Sequence, residues 1–293
     1  MKDIMYRLKI DRKEHFIWKL LVIISYLFFY KSKEVAVNKM SEGEPNQHAP
    51  PRQGFQAAVD HMTSNKIDSL LWLTRLGTIV FTALSMIPLF GFNPQTSYQR
   101  ALMSNAATSA LRLHQRMPRV QFTREYGAML MMEDSCHYLL YSILFIISYP
   151  ITLSLLPVFL FALLHSASYS LLILDKLGHS SGSASDFMRW VAGPRQRSIL
   201  RLVSFTEVTL MPITVLWLFS GKGSLLTAFS YFRFLTFRYA SRRNPYTRNV
   251  FHEMRIAIEA FANEPGRMPV LKNLCHKMIN YTSYLAPPIP AQQ

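Results

Sequence analysis

Between Asp134 and Asp175 the chain runs for 40 residues, 135 to 174, without a single Asp, Glu, Lys or Arg. As one continuous helix this segment would be about 60 Å long, roughly twice the hydrocarbon thickness of a bilayer. Pro150 and Pro157 lie near its middle, where a missing backbone N–H makes a bend or reversal cheapest. The expectation is a helical hairpin, about 136–153 outward and 156–174 back. The alternative is one long tilted helix with an overhang in water.

The rest of the chain fits a membrane environment. Only 17% of the 293 residues are charged and half are hydrophobic, against about 25% charged in a soluble domain. The net charge of +15 therefore sits on an apolar polymer, which points to anionic lipid before it points to nucleic acid. Two cysteines, Cys136 and Cys275, build no disulfide framework and read as reduced thiols.

The sequence divides into three parts. Residues 1–54 form a leader and a polar linker. Residues 1–15 set five Lys/Arg against three acids, ahead of the apolar run "FIWKLLVIISYLFFY" (16–30). That pattern resembles a signal sequence, but the following "KSKEVAVNKM" offers a poor cleavage site, so a retained anchor and a removed leader both stay open. Residues 55–245 read as a helical membrane domain. Leu76 to Phe92 is 17 residues without charge, the lower limit for a spanning helix. "YQRALMSNAATSALRLHQRMP" (98–118) reads as a surface helix at headgroup level. "LVSFTEVTLMPITVLWLF" (202–219), the turn "SGKGS" and "LLTAFSYFRFLTF" make a second candidate hairpin.

Residues 246–293 read as a basic cytosolic tail. Val250, Met254, Ala257, Ile258 and Phe261 recur at helical spacing, as do Leu271, Leu274, Cys275, Met278, Tyr281, Thr282 and Leu285. Both are patterns of amphipathic helices. The expected fold is all-α: a multi-pass helical membrane protein with helical hairpins and C-terminal amphipathic helices.

Basic residues in short loops favour the cytosolic side. Residues 93–133 and 175–201 each carry five Lys/Arg, and 233–293 carry nine against three acids. Two hairpins would put all three stretches on one face. Asn280-Tyr281-Thr282 is a glycosylation sequon, so a sugar on Asn280 would show a lumenal tail instead.

In "YFRFLTFRYASRRNPYTRN" (231–249), Arg233, Arg238, Arg242, Arg243 and Arg248 alternate with six aromatics. This pattern suits a helix leaving the membrane through the headgroups, with guanidiniums among phosphates. At about 1 kcal/mol per basic residue near an anionic leaflet, the five add several kcal/mol of anchoring. Lys272 and Lys277 extend the expected lipid interface. No nucleic-acid recognition module accompanies the patch; a protein-docking role is the remaining alternative.

No catalytic set is legible. Glu133, Asp134, Cys136 and His137 suggest a metal site or a nucleophile pair. However, adjacent positions on a helix diverge by about 100°, so Cys136 and His137 do not converge. The plainer reading is a polar helix start, capped by Asp134. Glu207 inside an apolar run is costly unless paired, and Arg75 is its expected intramembrane partner. His114 and His165 read as packing residues. No cofactor is implied. The competing functional class is a small transporter or lipid-handling enzyme that uses Glu207 in a polar cavity.

Several blocks are specific enough to carry a resemblance. They are "NKIDSLLWLTRL" (65–76), the 98–118 stretch, "EDSCHYLLYS" (133–142), "LFSGKGSLL" (218–226) and "FRFLTFRYASRRNPY" (232–246). From about residue 55 to 287 the chain resembles the transmembrane protein 33 family, which takes in Krüppel homologue 2 and yeast pore-membrane relatives. The resemblance implies a non-enzymatic multi-pass protein of the endoplasmic reticulum and nuclear envelope. It further implies restraint of reticulon-type tubule shapers, and links to reticulum stress sensors, calcium handling and nuclear pore assembly. The implied partners are anionic bilayer lipid, reticulon-type proteins, stress sensors and nucleoporins, without nucleic acid.

Overall fold

The computed structural model describes residues 54–87, 91–117, 121, 123–179, 181–241, 243–266 and 268–287. The expectations for the leader and nearly all of the linker, and for Arg242, lie outside the described residues. Eleven α-helices follow in order among those described: α1 Phe55–Ser64, α2 Lys66–Met86, α3 Pro94–Arg116, α4 Arg124–Met132, α5 Asp134–Ile147, α6 Leu155–Leu177, α7 Ser183–Ala192, α8 Gln196–Phe219, α9 Leu225–Ala240, α10 Tyr246–Ala262 and α11 Pro269–Leu285. No strand occurs among the described residues.

Three segments are long and apolar enough to cross a bilayer: Lys66–Met86, Thr152–Leu177 and Gln196–Phe219. The α4–α5 pair, bent by 80°, makes a fourth only if it is one broken span. By itself α5, with 14 residues, is about 21 Å long and falls short of the ~30 Å crossing. The outer faces of the spanning helices stay apolar and exposed, through Leu70, Leu73 and Val80 on α2 and Leu202, Phe205 and Leu216 on α8.

The 40-residue uncharged run does reverse, but not as a closely paired hairpin. Helix α5 stops at Ile147 because Pro150 disfavours helical backbone at the residue before it. A short 3-10 turn, Thr152–Ser154, then leads into α6. Pro157 breaks nothing, since it falls in the first turn of α6, where backbone N–H groups have no helical acceptor. The limbs touch through the Tyr138 and Phe161 rings, 4.9 Å apart. Their main partners are elsewhere: α5 lies on α3 and α9, and α6 lies on α2, α7 and α8.

Two other expectations change. The first span begins at Lys66 rather than Leu76, so Arg75 lies inside the helix rather than at its entrance. The 98–118 stretch is no surface helix: Ala101, Leu102, Asn105 and Ala106 of α3 are buried. Asn93 caps α3 by accepting from the Gln95 N–H at 2.9 Å, with Pro94 at the first helical position, a favourable pair of N-terminal devices. Small residues then admit neighbours on both sides. A Cβ on Gly77 of α2 would lie 3.1 Å from Ser104 Oγ, and Thr108 donates to Thr74 at 2.9 Å. Toward α5, Asn105 donates to Ser142 at 2.8 Å. In lipid, close approach and such interhelical bonds, about 0.6–2 kcal/mol each, drive helix association in place of the hydrophobic effect.

Contacts fix which ends coincide. Gln115 of α3 bonds Asp68 of α2 at 3.1 Å, Arg116 reaches Glu133, and Arg243 reaches the same Glu133. Gly54 N–H donates to Lys176 O, and Arg201 pairs with Glu253 at 2.7 Å. Arg116, Lys176, Arg201 and Arg243, in or beside the basic connectors, therefore share one end of the bundle. At the other end Ser148 bonds Thr227, and Lys222 lies over the Tyr149 and Trp217 rings. The core between the ends joins Tyr98 and Leu102 of α3, Tyr141 and Phe145 of α5, Leu155 and Val158 of α6, Leu210 of α8, and Tyr231 and Phe234 of α9.

Candidate functional site

The buried polar centre of the bundle is built by α5, α8 and α9. Along α9, Tyr231, Phe234, Leu235 and Arg238 are buried, a helical stripe of i, i+3, i+4 and i+7 positions. Arg238 occupies the stripe's last position and is 1% exposed. Its Nε donates to both Glu207 oxygens at 3.1 and 3.2 Å, and its Nη1 donates to Asp134 Oδ1 at 3.1 Å. Glu207, fully buried on α8, also accepts from the Tyr138 hydroxyl. Tyr231 donates to the Glu207 backbone oxygen at 2.7 Å, and Ser241 donates to Asp134 at 2.9 Å. One guanidinium thus serves two carboxylates from two helices, with the Tyr138 ring face 5.3 Å from its carbon. Arg238 Nη2 is buried and has no hydrogen-bond partner among the described residues.

This arrangement corrects two expectations. Glu207 pairs with Arg238, not with Arg75. Arg238 does not reach headgroups, because it lies on the inward stripe of α9. Arg243 is exposed and pairs with Glu133 at 2.8 Å. Arg248 donates to the Tyr239 and Ser241 carbonyls at 3.2 and 3.0 Å, at the end of α9 where carbonyls lack helical donors. Arg233 is exposed, over the Phe237 ring at 5.3 Å, and Lys272 and Lys277 are exposed on α11.

Asp134 does not cap α5. Glu133 holds the cap position without a side-chain bond, and the Asp134 carboxylate is taken by Arg238 and Ser241. Cys136 and His137 diverge as neighbouring helical positions must. Cys136 packs with Leu113 and Met117. His137 stacks on Phe237 at 5.4 Å, with its Nε2 2.7 Å from the Met131 carbonyl oxygen. Among the described residues no group of three or more His, Cys, Asp or Glu could hold a metal ion.

Beside the ion pairs lies a cleft of about 300 Å³. Arg75 of α2, Arg112 and Arg116 of α3, Arg238 of α9 and Arg243 line it, with Asp134 as the carboxylate in its wall. His165, Tyr138, Phe161 and Leu200 supply its less polar side. Burial, followed by the like charge of Arg116, pulls the Arg112 guanidinium below its usual pKa. Glu207 is sealed behind Arg238 and does not line the cleft.

Comparison with known proteins agrees with this architecture. The profile of the family described as transmembrane protein 33/nucleoporin POM33 matches residues 50–288. Human transmembrane protein 33 is 48% identical over 234 residues, covering 80% of this chain and 95% of that protein. Krueppel homolog 2 of Drosophila melanogaster is 40% identical over 238 residues, covering 80% of this chain and 85% of its own length. The transmembrane protein 33 homolog of Caenorhabditis elegans is 35% identical over 237 residues, 80% of this chain and 87% of the relative. No solved structure matches significantly. A profile match across most of the chain, joined to several apolar spanning helices, makes this chain a membrane protein of the transmembrane protein 33/nucleoporin POM33 family.

Proposed function

We propose that this protein is a non-enzymatic membrane-shaping adaptor of the endoplasmic reticulum and nuclear envelope. In this role it tempers reticulon-type tubule shapers and meets stress sensors or nucleoporins through its basic end. The carrying observation is the apolar stripe left exposed on α11: Val270, Leu274, Met278 and Tyr281. About a third of a turn round from this stripe, Cys275 and Ile279 are buried where α11 packs on α10, so among the described residues α11 is docked on one face while the stripe stays exposed. Lys277 flanks the stripe, Lys272 is exposed on the far side of the helix, and Arg233 adds charge from α9. An amphipathic helix of this kind inserts into one leaflet only. Helices α5 and α9 are also shorter than a crossing. Both features take up area unequally in the two leaflets, which is a physical route to curvature.

The test uses the full chain reconstituted in liposomes that contain anionic lipid, with vesicle diameter read by electron cryomicroscopy. The wild type is expected to produce smaller or tubular membranes, less so at high salt. Val270→Asp/Leu274→Asp/Met278→Asp is expected to leave diameters like those of protein-free vesicles while retaining helical content. Equal curvature from both proteins, or none from the wild type, would overturn the reading.

The shared basic end supports a cytosolic orientation for the tail. Asn280 is exposed on α11 and is expected to carry no sugar in cells, checked by the electrophoretic shift on glycosidase treatment. A shift would place the tail in the lumen.

The competing transporter or enzyme reading gains the polar cleft but loses its key residue. Glu207, held by Arg238 and Tyr138, is fully buried and does not line the cleft.

A further inference from the structure

We propose that the arginine cleft at the basic end is a binding site for a phosphate-bearing anion, the group shared by lipid headgroups and free phosphate. The site is distinct from the α11 stripe and stands whether or not the protein bends membranes.

Charge pairing carries the inference. Five guanidiniums border one cleft of about 300 Å³. Glu207 and Asp134 answer Arg238, and Glu133 answers Arg116 and Arg243. Arg75 and Arg112 remain. Arg75 is 8% exposed, yet among the described residues it has neither a hydrogen bond nor a carboxylate within ion-pair distance. Arg112 has none either. Asp68 is nearby, but it is exposed and accepts from Gln115. The orphaned Nη2 of Arg238 belongs to the same lining.

A buried charge without a partner is costly, and a planar guanidinium matches a phosphate through two parallel N–H bonds. A mono- or dianion between Arg75 and Arg112 completes both. Phe161, Ala162 and Leu200 also line the cleft, and this apolar surface suits a glycerol backbone and acyl chains. Inorganic phosphate needs only the arginines.

The experiment is native mass spectrometry and thermal unfolding of the full chain released from nanodiscs. One arm uses phosphatidylcholine alone, one adds phosphatidic acid, and one adds inorganic phosphate to phosphatidylcholine discs. The expected result is a retained phosphatidic acid adduct, a rise in melting temperature with inorganic phosphate, or both. The first alone assigns the lipid and the second alone assigns the free ion. Arg75→Gln/Arg112→Gln is expected to weaken retention about tenfold or more, from the loss of charge-assisted bonds. Lys66→Gln/Arg255→Gln removes exposed charge of the same sign outside both the cleft and the lipid interface and is expected to retain the adduct.

Absence of both adduct and thermal shift in the wild type overturns the proposal, independently of any variant's folding. So does equal loss in the surface-charge control, which would show general attraction of anions to a basic protein.

Discussion

Replacing Arg238 with methionine is expected to cost the folded bundle about 3–5 kcal/mol, the range for removing one partner of a buried ion pair. The variant keeps a stem of similar length but leaves Glu207, fully buried, with the Tyr138 hydroxyl as its remaining side-chain donor among the described residues. Asp134 loses its cation as well and keeps Ser241. Lysine is no conservative replacement: the guanidinium reaches Glu207 through Nε and Asp134 through Nη1, whereas an ammonium is a single point charge. The measurement is reversible unfolding of the full chain in detergent or nanodiscs. Glu207→Gln/Arg238→Met is expected to be more stable than Arg238→Met, because it removes the uncompensated carboxylate. The coupling in the double-mutant cycle should be about 1–3 kcal/mol. A loss below about 1 kcal/mol in Arg238→Met, or strictly additive effects, would show that the pair does not hold α5, α8 and α9 together.

The elements of this cluster were legible one by one, but their pairing was not. An acid at 207 inside an apolar run announces a partner, and the charged residue near the first uncharged stretch was the obvious candidate. The decisive signal lay in α9. Tyr231, Phe234, Leu235 and Arg238 follow helical spacing, so an arginine on that stripe belongs to the core. The aromatic-rich, arginine-rich surroundings imitate a membrane edge, and Arg233 and Arg243 of the same stretch are exposed. The misreading of α3 has a related cause. Three arginines among alanines and serines look like a surface helix, yet small residues are what closely packed membrane helices require. Arg75, Arg112 and Arg116 come from helices whose antiparallel packing brings 75 beside 112, a tertiary fact with no local trace. Helical class, the reversal near Pro150 and the two tail helices were all readable, because uncharged length, proline and periodicity act locally.

Gly223→Ala is expected to destabilise by about 1–3 kcal/mol, and Gly223→Val by more, because the added carbon meets backbone rather than a movable side chain. A Cβ there would lie 2.7 Å from Leu218 N, 2.8 Å from Trp217 C and 3.0 Å from Leu218 Cα. The same close approach lets the Gly223 N–H bond the Trp217 carbonyl at 2.8 Å, while Lys222 N–H shares that acceptor at 3.2 Å. Ser224 then caps α9 by accepting from Leu226 N–H. This turn sets the register of α9 against α8. Sliding α9 by one residue moves it about 1.5 Å and rotates its side chains about 100°, enough to break Arg238 from Glu207 and Tyr231 from the Glu207 carbonyl. The loss should therefore be less than additive with Arg238→Met. Lys222→Ala, which removes only an ammonium over two rings, is expected to cost about 0.5–1 kcal/mol. Thermal midpoints of the three variants decide the matter. If Gly223→Ala melts with the wild type, the turn does not set the register, and packing between α8 and α9, with the Tyr231 bond to the Glu207 carbonyl, aligns the ion pair.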